Sequence, residues 1–397
     1  MLQILIRLMS NNSVSLLSFQ ASSFLIPWFL ILWLSHNAEI EKVGEFGFIL
    51  ALISPICMFL ASPSRNYLLS DYTDDLFRKT LDLRRIFVVL GLVIACFIGI
   101  ALNEIWFVVA IYLAKITEML FDLAISVALK NNNNKALFRL SLSKWLSVFG
   151  AFSFTFFIKD ISFILIVLSV FFIVVSLGRA AFNRISFTGL LELLRHSLPL
   201  SASALVFSVY FNIPRYVLGQ AEKEALLAVF SISSFLLLGG LVLVNTIMQS
   251  RLPRLSEYAN DQNSKGFFQL GLVAFGFVIL VFALLQVARV DVFSEIFWKA
   301  HNNVNMADPD FGNVYNDVLV MTLGPLLFSF SNYFLVAIQK YKSLLVLTSI
   351  NTLVLYSVAT QIFQSYGLEG LLLSINYSGL FQFIVITAIC YMHKIKR

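Results

Sequence analysis

Apolar residues run through this chain in long blocks, and charged and amide residues gather in the short stretches between them. A block of about 17–25 apolar residues is long enough to cross a bilayer as a helix. On that measure the pattern predicts twelve spans, at 14–34, 46–64, 86–103, 105–129, 145–158, 161–178, 198–218, 226–250, 267–288, 316–338, 343–363 and 368–392. The tightest connections fall at Asn103 and at Lys159-Asp160. Strict alternation of apolar and polar positions, the mark of a transmembrane barrel, does not occur in these blocks. The first block follows a single cation, Arg7. It is longer than the ~7–15-residue core of a signal peptide and has no small-residue cleavage pattern after it, so it reads as a retained span.

Composition narrows the class further. Of 397 residues, 59% are apolar and 13% are charged, against about 25% charged in soluble domains. Mean hydropathy is +0.86. Soluble enzymes need more surface charge than this, and disordered chains need less hydrophobicity. The fold class is all-α, a polytopic membrane protein.

Charge then orients it. Of the 28 Lys and Arg residues, 21 fall at the two chain ends and in the loops on their side, 5 fall in the opposite loops, and Lys115 and Arg215 lie within spans. Cationic loops stay on the cytoplasmic side, so both termini are expected there. The net charge of +6 is thereby a topology signal, with no nucleic-acid partner implied. Trp33 and Trp106 fall near outer span ends and Trp145 near an inner one, as interfacial aromatics do, whereas Trp28 lies deeper. The three cysteines sit in apolar runs, and the four histidines fall in loops or at the chain end. No metal-ligand spacing occurs among them, so no metal or cofactor is expected. No phosphate-binding loop, nucleophile elbow or paired-carboxylate motif appears, which argues against an enzyme.

The chain also echoes itself at an offset of 186. Arg65, Leu69, Ser70 and Tyr72 meet Arg251, Leu255, Ser256 and Tyr258, while Ser15 and Ser22 meet Ser201 and Ser208. A duplication of six spans gives two lobes of like orientation. The expected division is a six-helix lobe over 1–178, a cytoplasmic linker over 179–197 and a second six-helix lobe over 198–397, around a central cavity.

Polar groups inside spans supply the candidate site. Span seven carries Ser197, Ser201, Ser208, Asn212 and Arg215 on one helical face, and span one carries Ser15, Ser18 and Ser22. Such a stripe either packs helices through small residues or lines a cavity. Arg215 either snorkels to the near surface or offers its planar fork to an anionic group. Span four carries Lys115, Glu118 and Asp122 on one face. These form a self-compensating ion cluster, or else Lys115 meets substrate phosphate while Glu118 or Asp122 takes a coupling cation.

Several motifs carry a resemblance. They are Asn212-Ile213-Pro214-Arg215-Tyr216-Val217-Leu218-Gly219, then Leu227-Ala228-Val229-Phe230-Ser231-Ile232, and Gln249-Ser250-Arg251-Leu252-Pro253-Arg254-Leu255. Val43-Gly44-Glu45-Phe46-Gly47 and Tyr366-Gly367-Leu368-Glu369-Gly370 add a "G-x-[FY]-G" and a "G-x-x-G" turn. Together these resemble the polysaccharide-transport (Wzx-like) flippases of the MOP exporter superfamily. The resemblance implies a two-lobed fold of twelve or fourteen helices in the bacterial inner membrane. It implies transfer of an undecaprenyl-diphosphate-linked oligosaccharide, such as an O-antigen unit for lipopolysaccharide biosynthesis, between leaflets. Its partners would be that glycan, membrane lipids, and the polymerase and chain-length proteins of the pathway. Arg215 carries over through the Asn-Ile-Pro-Arg motif as a diphosphate ligand, with Asn212 beside it, and Lys115 and Arg65 join by position. Ser22, Ser201 and Ser208 complete the expected lining. Many members place an acid just before the arginine, where this chain has Pro214.

Two rivals remain. An O-antigen polymerase wants a long outer loop rich in arginine. The longest here, 289–315, sets Arg289 and Lys299 against Asp291, Glu295, Asp308 and Asp310. A small-solute or multidrug antiporter of the same superfamily wants a more acidic cavity.

Overall fold

The computed structural model describes residues 12–37, 40–70, 73–131, 133–156, 158, 160–177, 189–221, 223–287 and 309–395. Among them there is no strand. The helices are α1 (Asn12–Asn37), α2 (Ile40–Ser70), α3 (Asp74–Ala101), α4 (Ile105–Lys130), α5 (Asn134–Ser153), α6 (Ile161–Leu177), α7 (Leu190–Gln220), α8 (Glu224–Asn260), α9 (Ser264–Val287), α10 (Pro309–Val320), α11 (Leu323–Ala337) and α12 (Tyr341–Ile395).

Among the described residues eight stretches are long and apolar enough to cross a membrane, and these make the chain a multi-pass membrane protein. The other predicted spans have physical reasons for falling short. Lys115, Glu118 and Asp122 crowd α4, Arg139 and Lys144 lower the hydropathy of α5, and α6 is described over only 17 residues, though these are largely apolar. The last two spans merge as α12, but Gly367 divides it with φ 66° and ψ −162°. Glycine adopts that left-handed conformation without a Cβ penalty, so the "G-x-x-G" turn is a real break. Predicted span ten is in turn split at Met321-Thr322 into α10 and α11. The amide of Gly324 in the first turn of α11 donates to Asn376 Oδ1 at 2.6 Å, which satisfies one of the free N–H groups of the new helix start.

Local chemistry sets the other ends. Thr73 Oγ1 accepts from the Leu76 amide and Asn133 Oδ1 from the Ala136 amide, capping α3 and α5. Asn103, Gln262 and Gln339 take positive φ of 56–58° where α3, α8 and α11 end. The helix ends at 37, 70 and 101 recur at 220, 260 and 287, close to the offset of the internal repeat. Apolar faces stay uncovered where lipid would lie: Phe97 on α3 and Val273 on α9 are about 70% exposed.

The chain divides into two compact units, Met1–Ser23 with Leu52–Leu205 and Phe24–Ala51 with Val206–Arg397. The sequence placed the junction at 179–197, of which 179–188 lie outside the described residues. The boundaries of the two compact units fall within α1, α2 and α7. Glycines explain part of this. A Cβ at Gly44 would stand 2.7 Å from the Glu224 carbonyl oxygen, and one at Gly47 would collide with Ser231 Oγ. The "G-x-[FY]-G" motif is therefore a seam that lets α2 press against α8.

Aromatic rings fill both cores. In the first unit Phe121 of α4 meets Phe172 of α6 edge-on at 5.3 Å, with Phe19 of α1 at 6.1 Å. In the second, Phe328 of α11 meets Tyr210 of α7 edge-on at 4.8 Å. Edge-to-face pairs add about 0.5–1.5 kcal/mol each beyond burial.

Candidate functional site

The polar face of α7 is buried, as its spacing predicts: Ser197, Ser201, Ser208, Asn212 and Arg215 are all under 9% exposed. The upper and lower parts of that face differ. Ser197 and Ser201 donate to carbonyls of their own helix, at Leu193 (2.7 Å) and Ser197 (3.1 Å). Their hydroxyls are satisfied locally, which is the behaviour of small packing residues in a membrane helix.

At the other end the chemistry changes. Asn212 donates to the Ser208 carbonyl at 2.8 Å, and its Oδ1 accepts from Arg215 Nη1 at 2.8 Å. Arg215 Nη2 donates to Ser234 Oγ of α8 at 2.7 Å, and Ser234 passes its own proton to the Ser231 carbonyl at 3.0 Å. The guanidinium lies over the Phe230 ring, 5.5 Å from its centre. Among the described residues no carboxylate pairs with it, and its buried Nε has no hydrogen-bond partner. A desolvated cation held only by neutral acceptors, with one N–H to spare, is set to receive an anion. Snorkelling does not describe it, because at 7% exposure the head group is not in solvent.

Tyr210 and Tyr216, on either side of Asn212 and Arg215 in α7, each hold a partner on another helix. Tyr210 is fully buried, donates to the Ile375 carbonyl at 2.5 Å and accepts from Ser378 at 3.1 Å. Tyr216 donates to the Ala51 carbonyl at 2.7 Å. Both brace α7 against neighbouring helices.

The first unit holds a second polar cluster. Glu118 Oε1 of α4 lies 2.9 Å from Lys144 Nζ of α5, and Oε2 lies 3.7 Å from Lys115 Nζ. Lys144 also donates to Ser23 and sits 4.0 Å from the centre of the Phe19 ring. Lys144 is completely buried, while the Lys115 side chain keeps 23% exposure. Glu118 therefore has two ammonium groups at its two oxygens. Asp122 lies in α4 and Arg65 in α2, with side chains outside the described residues. Ser22 is buried and donates to the Phe19 carbonyl at 2.6 Å.

Two cations assigned to loops by sequence belong inside the bundle. Lys144 is one. Arg84 is the other, donating to the Met119 carbonyl and, at 2.7 Å, to the Ala61 carbonyl. The apolar run that marked span five starts at 145, but α5 starts at Asn134, so Lys144 stands near its middle. The spacing of Ser141, Lys144, Ser147 and Ala151, all buried, carried the signal. Trp145 likewise is not a free interfacial anchor, since its Nε1 donates to Ser18 Oγ at 3.1 Å. Among the described residues no three His, Cys, Asp or Glu side chains converge to hold a metal.

No family model matches the chain, and no curated protein matches it by sequence. Solved structures do. The outward-facing conformation of a multidrug resistance MATE family transporter of the MOP superfamily superposes with a TM-score of 0.67 at 15% identity, over 97% of this chain and 96% of that one. The fold of this chain is thus similar to that of a MOP-superfamily transporter. The inward-facing conformation of a multidrug resistance MATE family transporter gives 0.64 at 15% identity, over 97% of this chain and 98% of that one. A MOP superfamily transporter from Pyrococcus furiosus Vc1, described by a reversed polarity of its binding pocket, gives 0.60 at 14% identity, over 98% and 97%. At these identities the MOP likeness is one of fold, and the substrate has to be argued from this chain's own residues.

Proposed function

We propose that this chain is a transporter, with no enzymatic activity of its own, that moves an anionic amphiphile across a membrane by alternating access. The substrate we favour is an undecaprenyl-diphosphate-linked oligosaccharide, an O-antigen or similar repeat unit, carried between the leaflets of the bacterial inner membrane with both chain termini in the cytoplasm. The observation that carries this reading is Arg215, buried among neutral acceptors with its Nε unpartnered. A diphosphate supplies the charge and the acceptor geometry that the site lacks. Asn212 and Ser234 hold the fork in place beneath it.

A second reading, a multidrug or small-solute antiporter, draws on the MATE neighbours. A cationic drug is poorly matched to a buried guanidinium, so the charge at Arg215 favours the first. The polymerase reading draws no support from a transporter fold.

Deleting the gene and locating the accumulated precursor tests the proposal. Lipid-linked single units trapped on the cytoplasmic face support it, and single units gathering on the opposite face sink it. Arg215→Ala is expected to abolish transport and Arg215→Lys to restore part of it, because lysine keeps the charge but not the fork. Full activity of the alanine variant would remove this residue from the substrate path.

A further inference from the structure

Within the second unit, α9, α11 and the stretch of α12 after Gly367 enclose an open groove of about 450 Å³. Its walls are almost wholly apolar and aromatic. Phe268, Leu272 and Phe275 come from α9, Phe330 and Phe334 from α11, and Phe383 from α12. Phe275 and Phe383 stack at 5.8 Å with planes 14° apart, and Phe330 meets Phe334 edge-on at 5.0 Å. Gly271 makes room on one side, since a Cβ there would stand 2.9 Å from the Phe334 ring.

The groove is placed to open on lipid. The flanking spans, Ser264–Val287 and Tyr341–Met392, are the least buried of the apolar helices, at 22% and 28%, while Gly312–Ala337 between them is 78% buried. A furrow of this size between apolar spans, lined almost wholly by apolar surface with only Gln269 and Thr387 as polar side chains at its wall, suits hydrocarbon better than water. Charge at one end says which lipid. Lys265 stands exposed in the first turn of α9, and residues 265, 268 or 269, and 272 share one face of that helix. It forms no ion pair among the described residues. Tyr391, packed 6.1 Å from Phe268 and 57% exposed, marks the same end as interfacial.

We propose that this groove is a lipid site that holds one acyl chain of an anionic phospholipid, with the phosphate drawn to Lys265. A long ammonium stem at the membrane surface can lie along the chain and keep its head at phosphate depth. One lysine against an anionic lipid corresponds to about fivefold local enrichment.

Tryptophan in place of Tyr391 gives a reporter. The full-length Tyr391→Trp protein would be placed in phosphatidylcholine vesicles in which one-tenth of the lipid is brominated, either phosphatidylglycerol or phosphatidylcholine. Fluorescence added over wild type should be quenched more strongly by the brominated phosphatidylglycerol. Lys265→Ala should erase the difference. Thr387→Phe, at an exposed wall position, should lower quenching by both lipids. A second measurement needs no reporter. Wild-type protein in neutral detergent should unfold at a higher temperature with added phosphatidylglycerol than with phosphatidylcholine, and Lys265→Ala should lose that shift. Equal quenching and equal unfolding temperature with the two headgroups would overturn the proposal.

Discussion

Each unit buries a cation at the centre of a polar patch, and the two patches are completed in opposite ways. In the first unit Glu118 answers Lys144 at 2.9 Å and Lys115 at 3.7 Å. In the second, Arg215 has an amide oxygen, a hydroxyl and an aromatic face, but no acid among the described residues. Burying a charge costs several kcal/mol, and a well-placed counter-charge offsets much of that. In the first patch the fully buried Lys144 has a carboxylate at hydrogen-bond distance, and the surplus cation, Lys115, keeps 23% exposure. In the second patch the buried Arg215 has no such counter-charge among the described residues. A buried charge alone therefore does not distinguish the two patches, and the counter-charge does; the proposed ligand reading rests on that difference.

This contrast can be broken from either side. Glu118→Gln would strand Lys144 without its carboxylate, and the purified protein should lose about 3–5 kcal/mol of stability in a thermal or denaturant melt. The double variant Glu118→Met with Lys144→Met should recover most of that loss, to within about 1 kcal/mol of wild type, because an apolar pair replaces an ion pair at little cost. A double variant as unstable as the single one would show that Glu118 acts outside this pair. In the second patch the same logic runs backwards. Arg215→Met should leave stability within about 1 kcal/mol of wild type, or raise it, while binding of undecaprenyl diphosphate weakens about 10- to 100-fold for each charged hydrogen bond lost. A large destabilisation by Arg215→Met would make this arginine a structural group. The smallest effect belongs to the satisfied end of the α7 face. Ser201→Ala should change stability by about 0.6 kcal/mol and leave transport intact, and a transport defect there would extend the site along α7.

The sequence carried the spans well because long apolar blocks have few alternatives in a chain this poor in charge. It carried the α7 face for a related reason: spacings of 3, 4 and 7 between polar residues survive in any helix. It did not carry Lys144 or Arg84. Both lie beside the apolar runs, not inside them, so hydropathy alone assigns them to loops, and only the true starts of α5 at Asn134 and α3 at Asp74 draw them into the bundle. Nor could it show that Tyr210 and Tyr216 are committed to carbonyls on other helices, because those partners lie 165 residues away. The glycine motifs were read as family marks. Their physical content, a seam at Gly44 and Gly47 and a break at Gly367, appears only with the neighbours in place.

The Glu118–Lys144 pair also bears on how the chain is made. A lysine at the middle of a helix resists transfer from the translocon into lipid by about 2.5–3.5 kcal/mol. Helix α5, with Lys144 near its centre and only modest hydropathy elsewhere, is a poor candidate to partition on its own. Helix α4 emerges from the ribosome first and carries Glu118, which pairs with that lysine. The two helices should therefore leave the insertion machinery together, as a hairpin whose charges meet before either is exposed to acyl chains. Glu118→Gln would then be seen during synthesis as well as in the finished protein, as a nascent chain whose fifth span fails to insert.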